Sequence, residues 1–268
     1  MRIILLAITS LIIILSTACS SNGGYNPTVF AYEYDQPQTA NKRYKKVILA
    51  PVSLGAPPPS YLEKGQRKVR GMVRDYLKSN GYEILPNYHF ENAWKTASRT
   101  YGDVYDPTTG KIDMNAWRGA MVTTGEIIRK QTDADAIVFA DVFEHDIQHS
   151  PSMQHYARWY GVTRKPALRG SGTSVPIDFN WTQQIKAASL LITIYDSDLK
   201  RVFTSRGGMD TLYEVDTKSS SPSFVRRKKM LKSDGNIEEG IELAFHPFIT
   251  MDDYPGKEET EGKEQQSK

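Results

Sequence analysis

One cysteine, Cys19, stands in a chain of 268 residues, so no intramolecular disulfide can staple the fold and the core must hold itself together. Long hydrophobic runs are also missing after the first fifteen residues, and nothing later approaches the roughly 20 apolar residues of a membrane-spanning helix. Charge of one sign is not in excess. The net charge of +3 is slight for a nucleic-acid protein, and nucleic acid is not expected as a partner. Phosphate-binding and dinucleotide loops are absent: Gly170 and Gly172 are followed by Val175 where a third glycine belongs, and Gly170-Ser171-Gly172 lacks the spacing of a nucleophile elbow. No cofactor is expected, and the silence of these motifs favours a non-enzyme.

What is present begins at the N-terminus. Arg2 is followed by an apolar run from Ile3 to Leu15 and by small residues leading to Cys19, the tripartite plan of a secretory signal peptide at residues 1–18. The segment resembles the bacterial lipobox, with Ser16 at the place where that family prefers Leu and Leu15 one step back. The resemblance implies that Cys19 is diacylated on sulfur and becomes the first mature residue, holding the domain at a lipid bilayer. Ser20 and Ser21 replace the Asp that marks inner-membrane retention in such lipoproteins, so the outer membrane is expected, facing the periplasm or the cell surface. Residues 19–44 read as a linker arm. Tyr25, Phe30, Tyr32 and Tyr34 are unusual in a spacer, and part of the arm is expected to lie on its own domain or on a partner.

The expected domain spans residues 45–250. Lys45 to Val52 reads as a buried strand ended by Pro51, and Ser60-Tyr61-Leu62-Glu63 as a capping box opening a helix that stops at Gly81. That helix carries Leu62, Val69, Val73 and Leu77 on one side and a basic stripe, Lys64, Arg67, Arg70, Arg74 and Lys78, on another. Tyr82 to Leu85 forms a second strand, Phe90 to Ala97 a short helix, and Asp113 caps a helix from Met114 to Gln131. Acids at 103, 106 and 113 do not have calcium-loop spacing, and the segment between is a turn. Ala134 to Phe143 is the most central strand; Ile185 to Tyr195 and Arg201 to Ser205 make a hairpin. Phe224 to Lys232 and Ile237 to Phe245 are the last helical pieces, and residues 251–268 form a disordered polar tail. The implied fold is α/β, a single mixed sheet with helices packed on it and one long irregular insertion at 144–182.

Lys46-Val47-Ile48-Leu49-Ala50-Pro51-Val52, Gly81-Tyr82-Glu83-Ile84-Leu85-Pro86, Ala134-Asp135-Ala136-Ile137-Val138-Phe139 and the late hairpin ending near Gly207-Gly208 carry a resemblance in element order. They resemble the periplasmic α/β domains of the curli secretion lipoprotein, the lipoprotein activators of penicillin-binding proteins and the amino-terminal domain of the Tol translocation protein. The insertion lacks alternating segments of barrel-strand length, so the channel of the curli relatives is not expected.

Two function classes follow. One is a tethered interaction module that recruits or regulates an envelope protein; the other is a binder or enzyme of cell-wall glycan, with Trp159, Tyr160 and Trp181 as stacking platforms. Arg158, Trp159, Tyr160 and Arg164 combine the residue types of interface hot spots, with Arg67, Arg70 and Arg74 as a second surface. Alternatively Trp159 and Tyr160 pin the insertion onto the sheet. His145, His149 and His155 lie in a loop where no helical register sets ligand geometry, and no metal is expected. The anchor yields the first test: Cys19→Ala removes the nucleophilic sulfur, so labelled palmitate is no longer incorporated and the protein is released or stalls as precursor. Labelling that persists in the variant refutes lipidation at Cys19.

Overall fold

The computed structural model describes residues 32–34, 44–54, 59–102, 104, 106, 108, 109, 111–170, 175–218 and 221–256. Cys19 and most of the linker arm and tail lie outside the described residues. Eleven strands and four helices are described, in the order β1 (Tyr32–Tyr34), β2 (Lys46–Leu49), α1 (Ser60–Ser79), β3 (Glu83–Ile84), α2 (Tyr88–Thr100), α3 (Met114–Gln131), β4 (Ala136–Ile147), β5 (Ala157–Trp159), β6 (Val162–Arg164), β7 (Leu168–Arg169), β8 (Ile185–Asp196), β9 (Arg201–Thr211), β10 (Tyr213–Asp216), β11 (Ser223–Arg226) and α4 (Asp234–Phe245). Among the described residues no helix is long and apolar enough to cross a membrane.

The main sheet runs β1-β9-β8-β4-β2-β3, with β2 parallel to β3 and β4 and the remaining pairs antiparallel. Side chains alternate between two faces, as the period of a strand requires. Val47, Val138, Ala140, Leu190, Ile192 and Phe203 meet α1 and α4 on one face. Ile48, Ile137 and Phe139 meet Phe90, Ala93 and Ile128 of α2 and α3 on the other. At Gly207 a Cβ would fall 1.9 Å from the Gly240 carbonyl oxygen, so α4 lies backbone to backbone on β9 and only glycine fits.

The fold is α/β as expected, but its strands form three sheets, not one. The third sheet, the β5–β6 hairpin, lies wholly inside the segment expected to be an irregular insertion, and the second, β11-β10-β7, takes only β7 from it and pairs that strand with β10 from beyond the β8–β9 hairpin. These strands are two to four residues long, too short to show a period. The hairpin turn is Tyr160-Gly161, with φ of 38° and 86°, both left-handed as a tight primed turn demands. Ser223–Arg226 is a strand paired with β10 where helix was expected, because Phe224 is held in an aromatic cluster.

Helix ends divide in the same way. Asp113 accepts from the Asn115 and Ala116 N–H groups at 2.9 and 3.1 Å, and Gly81, at φ 80°, ends α1, as expected. The capping box does not form: Ser60 is already helical, Pro59 is the N-cap, and no side chain caps the end. The arm joins the sheet through β1, and Tyr254 in the tail is buried against His246, with ring centroids 3.8 Å apart.

Ile137 is buried on β4 among Ile48, Phe90 and Phe139. Ile137→Asp places an unpaired charge there at a cost of several kcal/mol, against a total stability of about 5–15 kcal/mol for a domain. Loss of the cooperative melting transition is expected, and unchanged melting would contradict the packing.

Candidate functional site

The second face of the main sheet is covered in two pieces. The α2–α3 pair covers it from β2 to Phe139 of β4 and Tyr195 of β8. The β5–β6 hairpin covers the far ends of β4 and β8, where Trp159, Ala157 and Val162 pack with Ile147, Ile185 and Ala187. Between the two covers lies a window. By register its floor comprises Asp141 and Phe143 of β4, Leu191 and Thr193 of β8, and Thr204 and Arg206 of β9.

Two cavities of about 300 Å³ each adjoin the window. The first is apolar and sits under α3, lined by Phe90, Trp117, Met121, Ile137, Phe139 and Leu199. The second is polar and lies over β8, β9 and β1, lined by Glu33, Leu191, Thr193, Arg201, Thr204 and Arg206. Leu54 and Tyr195 line both. The window therefore has an apolar cavity on one side of Leu54 and Tyr195 and a polar cavity on the other.

The short strap Val52–Leu54 divides these cavities and is tied down by a buried acid. Asp141 accepts from the Leu54 N–H at 3.1 Å and from the Ser53 side chain, while its other oxygen, Oδ1, has no partner. Burial raises the Asp141 carboxyl above the usual carboxylate range, partly opposed by these donors and by the field of Arg70. Arg70 is itself half-buried with an unpartnered Nε, and burial lowers its guanidinium.

The residues singled out from sequence divide between structure and surface. Trp159 is 4% exposed, and its indole N–H donates to Ser189 Oγ at 3.1 Å, the oxygen that also meets His145 Nε2 at 2.9 Å. Arg164 donates to the Met209 carbonyl at 2.9 Å and pairs with Glu239 at 2.6 Å, fixing the hairpin to β9 and α4. Tyr160 is half-buried at the window rim with the Arg206 guanidinium 5.7 Å from its ring centroid. Arg158 points to solvent. Trp159 and Arg164 thus pin the insertion, and Tyr160 and Arg158 stay accessible. Arg67 is exposed and Arg74 half-buried on α1, on the opposite side of the sheet. Trp181 stacks on His155 at 4.0 Å within the aromatic cluster.

Leu191, Thr193, Thr204 and Arg206 were not singled out from sequence. β8 reads IKAASLLITIYD, apolar on both faces, so its half-open side carries no alternation. Polar Thr193, Thr204 and Arg206 at matched register positions were the available signal, legible only once the pairing of β8 with β9 is known.

The three histidines take separate roles, and among the described residues no group of three or more metal-ligating side chains forms. His149 is 1% exposed, stacked on Phe224 at 5.6 Å, and neither ring nitrogen has a partner. Burial, helped by His155 and Arg227, pushes its pKa down to about 4. The unfolded chain, with an ordinary imidazole near about 6.5, takes up this proton first as pH falls. Stability from this site is therefore complete above about pH 6.5 and is lost down to about pH 4, at a slope of up to about 1.4 kcal/mol per pH unit. In urea melts across pH 7.5 to 4.5, His149→Phe should flatten the acid loss relative to wild type, His145 and the carboxylates contributing equally to both. Parallel curves would refute the buried neutral imidazole.

Compared with known proteins, the chain matches no family model, no curated protein and no solved structure, so its function rests on the geometry of the window.

Proposed function

We propose that the chain is a lipid-anchored module of the outer membrane that recruits an envelope protein through the window of its main sheet. The observation that carries this is the gap between the two covers, where half-buried Phe143, Leu191 and Tyr195 lie beside exposed Arg201 and Arg206. An apolar cavity next to a polar one, with Leu54 and Tyr195 lining both, accepts a chain segment bearing both kinds of side chain, and mixed apolar and arginine surfaces are typical of interface centres. Loops and insertions framing a rigid sheet are also where scaffolds carry recognition. The catalytic alternative has no comparable support: Trp159 is buried and Trp181 is occupied by His155, so neither is a free platform for a sugar ring.

The test uses soluble protein from Ser20 onward as bait on detergent-solubilised envelope. Leu191→Glu with Arg206→Glu should reduce partner recovery at least tenfold while shifting the melting temperature by only a few degrees, since both sites reach solvent. Arg67→Glu with Arg74→Glu, on the other side of the sheet, should recover the partner as wild type does. Full recovery by the window variant moves the interface elsewhere. A wild-type protein that retains no envelope protein but sediments with peptidoglycan replaces this function with glycan binding.

A further inference from the structure

The outer edge of the main sheet is shielded unequally along β9. At Gly208 and Met209 the hairpin covers it: the Gly208 N–H donates to the Tyr160 carbonyl at 2.9 Å and the Met209 carbonyl accepts from Arg164. From Phe203 to Ser205 the cover is β1, three residues drawn from the N-terminal arm.

β1 is lightly held. Tyr32 and Glu33 are exposed, and the Glu33–Arg201 ion pair sits in water, where such pairs contribute little. Among the described residues of the arm strand Tyr34 is the one with its ring in the core, edge-on to Phe203 at 5.3 Å and near Phe248 at 5.9 Å. Its hydroxyl is shut away from water with no hydrogen-bond partner, and an unmatched polar group works against the docking that buries it. Three ladder positions among the described residues and one imperfect aromatic plug make an exchangeable strand.

We propose that the Phe203–Ser205 edge of β9 is an acceptor for an extended segment of a protein partner, with β1 as its resident competitor. The chemistry of the ligand follows from what β1 presents. The residue opposite Phe203 must be aromatic or large and apolar, to fill the space between Phe203 and Phe248. Its neighbour opposite Thr204 points to the other face, where Arg201 and Arg206 line the polar cavity, and is acidic. An antiparallel strand with an acidic residue next to an aromatic one meets both, adding to the sheet edge through its main chain as strand-addition ligands do. This assignment shares Arg201 and Arg206 with the polar side of the window, but main-chain pairing along the β9 edge and the aromatic plug against Phe203 and Phe248 carry it, and these lie outside the window.

Exchange also has a mechanical consequence under lipidation at Cys19. With β1 docked, residues 20–31 are the leash, at most about 43 Å long when extended; with β1 released, residues 20–43 reach at most about 86 Å. A partner that takes the β9 edge thereby lengthens the tether.

The probe is a fluorescent peptide of the arm itself, Thr28 to Gln38, titrated into the soluble chain from Ser20 onward and followed by anisotropy. Tyr34→Ala weakens the competitor, so this chain should bind the peptide at least tenfold more tightly than wild type, and a peptide carrying Tyr34→Asp should not bind. Glu33→Lys serves in the same way if Tyr34→Ala loses its near-ultraviolet signature. Glu33→Cys with Thr204→Cys places the only two thiols of the soluble chain at directly opposed positions, within bridging distance in either kind of antiparallel pair. Oxidised, this chain should exclude the peptide; reduced, it should bind again. Equal binding by wild-type, Tyr34→Ala and oxidised chains, or no binding to either weakened chain, overturns the acceptor. Concentration-dependent dimers of the wild-type chain that the disulfide abolishes would make a second copy the occupant and overturn the assignment to a partner.

Discussion

The structure depends on one long ladder. β4 and β8 pair antiparallel over twelve positions without a break, from Ala136 opposite Asp196 to Ile147 opposite Ile185. On one face of this ribbon Ala136, Val138, Ala140 and Val142 lie beside Ala188, Leu190, Ile192 and Ile194, all buried under α1 and α4. A ribbon this long and apolar cannot leave its other face to water, and among the described residues the α2–α3 pair covers only part of it. The second face is therefore covered from both ends, by α2–α3 and by the hairpin, and the window is where the two covers do not meet.

The same ladder creates an edge problem. β2 ends at Leu49, opposite Val138, so the backbone of β4 beyond that point faces α1 without a strand beside it. Gln66 takes the place of the missing strand. Its amide donates to the Ala140 carbonyl at 3.0 Å and accepts from the Val142 N–H at 2.8 Å, the pair of bonds a neighbouring residue in a sheet would make. A buried polar residue in an otherwise apolar helix face is thus a backbone partner. On the far side of the sheet the arm strand β1 and the hairpin share the corresponding task along β9.

What the sequence made legible follows from length. The eighteen residues of α3, with Asp113 before them, and the twelve of β4 and β8 are long enough for period and capping chemistry to speak. β5, β6, β7, β10 and β11 are not, and they exist because tertiary contacts hold them: Trp159 on Ser189, Arg164 on Met209, Phe224 on His149. The Tyr160-Gly161 turn hid the hairpin because its first position is normally Asn, Asp or Gly. The hot-spot composition of residues 158–164 was visible, but composition does not tell a side chain that binds a partner from one that fastens its own loop. Burial and bonding do: Trp159 is buried and Arg164 is tied to Met209 and Glu239, whereas Arg158 is exposed and Tyr160 is half-buried at the window rim.

Where the chain departs from the rules that make the rest of it stable is informative. Buried polar atoms normally have partners, and the β4–β8 ladder, α3 and the Gln66 substitution obey that rule. The Tyr34 hydroxyl, Arg70 Nε, Asp141 Oδ1, both His149 ring nitrogens, Arg226 Nη1 and Arg227 Nε do not. Tyr34 belongs to the exchangeable edge strand, Asp141 holds the strap that divides the two cavities, and Arg70 lies in the field of that same acid. A core selected for stability alone would replace such groups with apolar ones of similar size, since an unmatched buried group costs about 1–3 kcal/mol. They fall in two groups: Tyr34, Asp141 and Arg70 beside the β9 edge and the window, where the sheet is least covered, and His149, Arg226 and Arg227 in and next to the short second sheet, whose strands tertiary contacts alone hold in place.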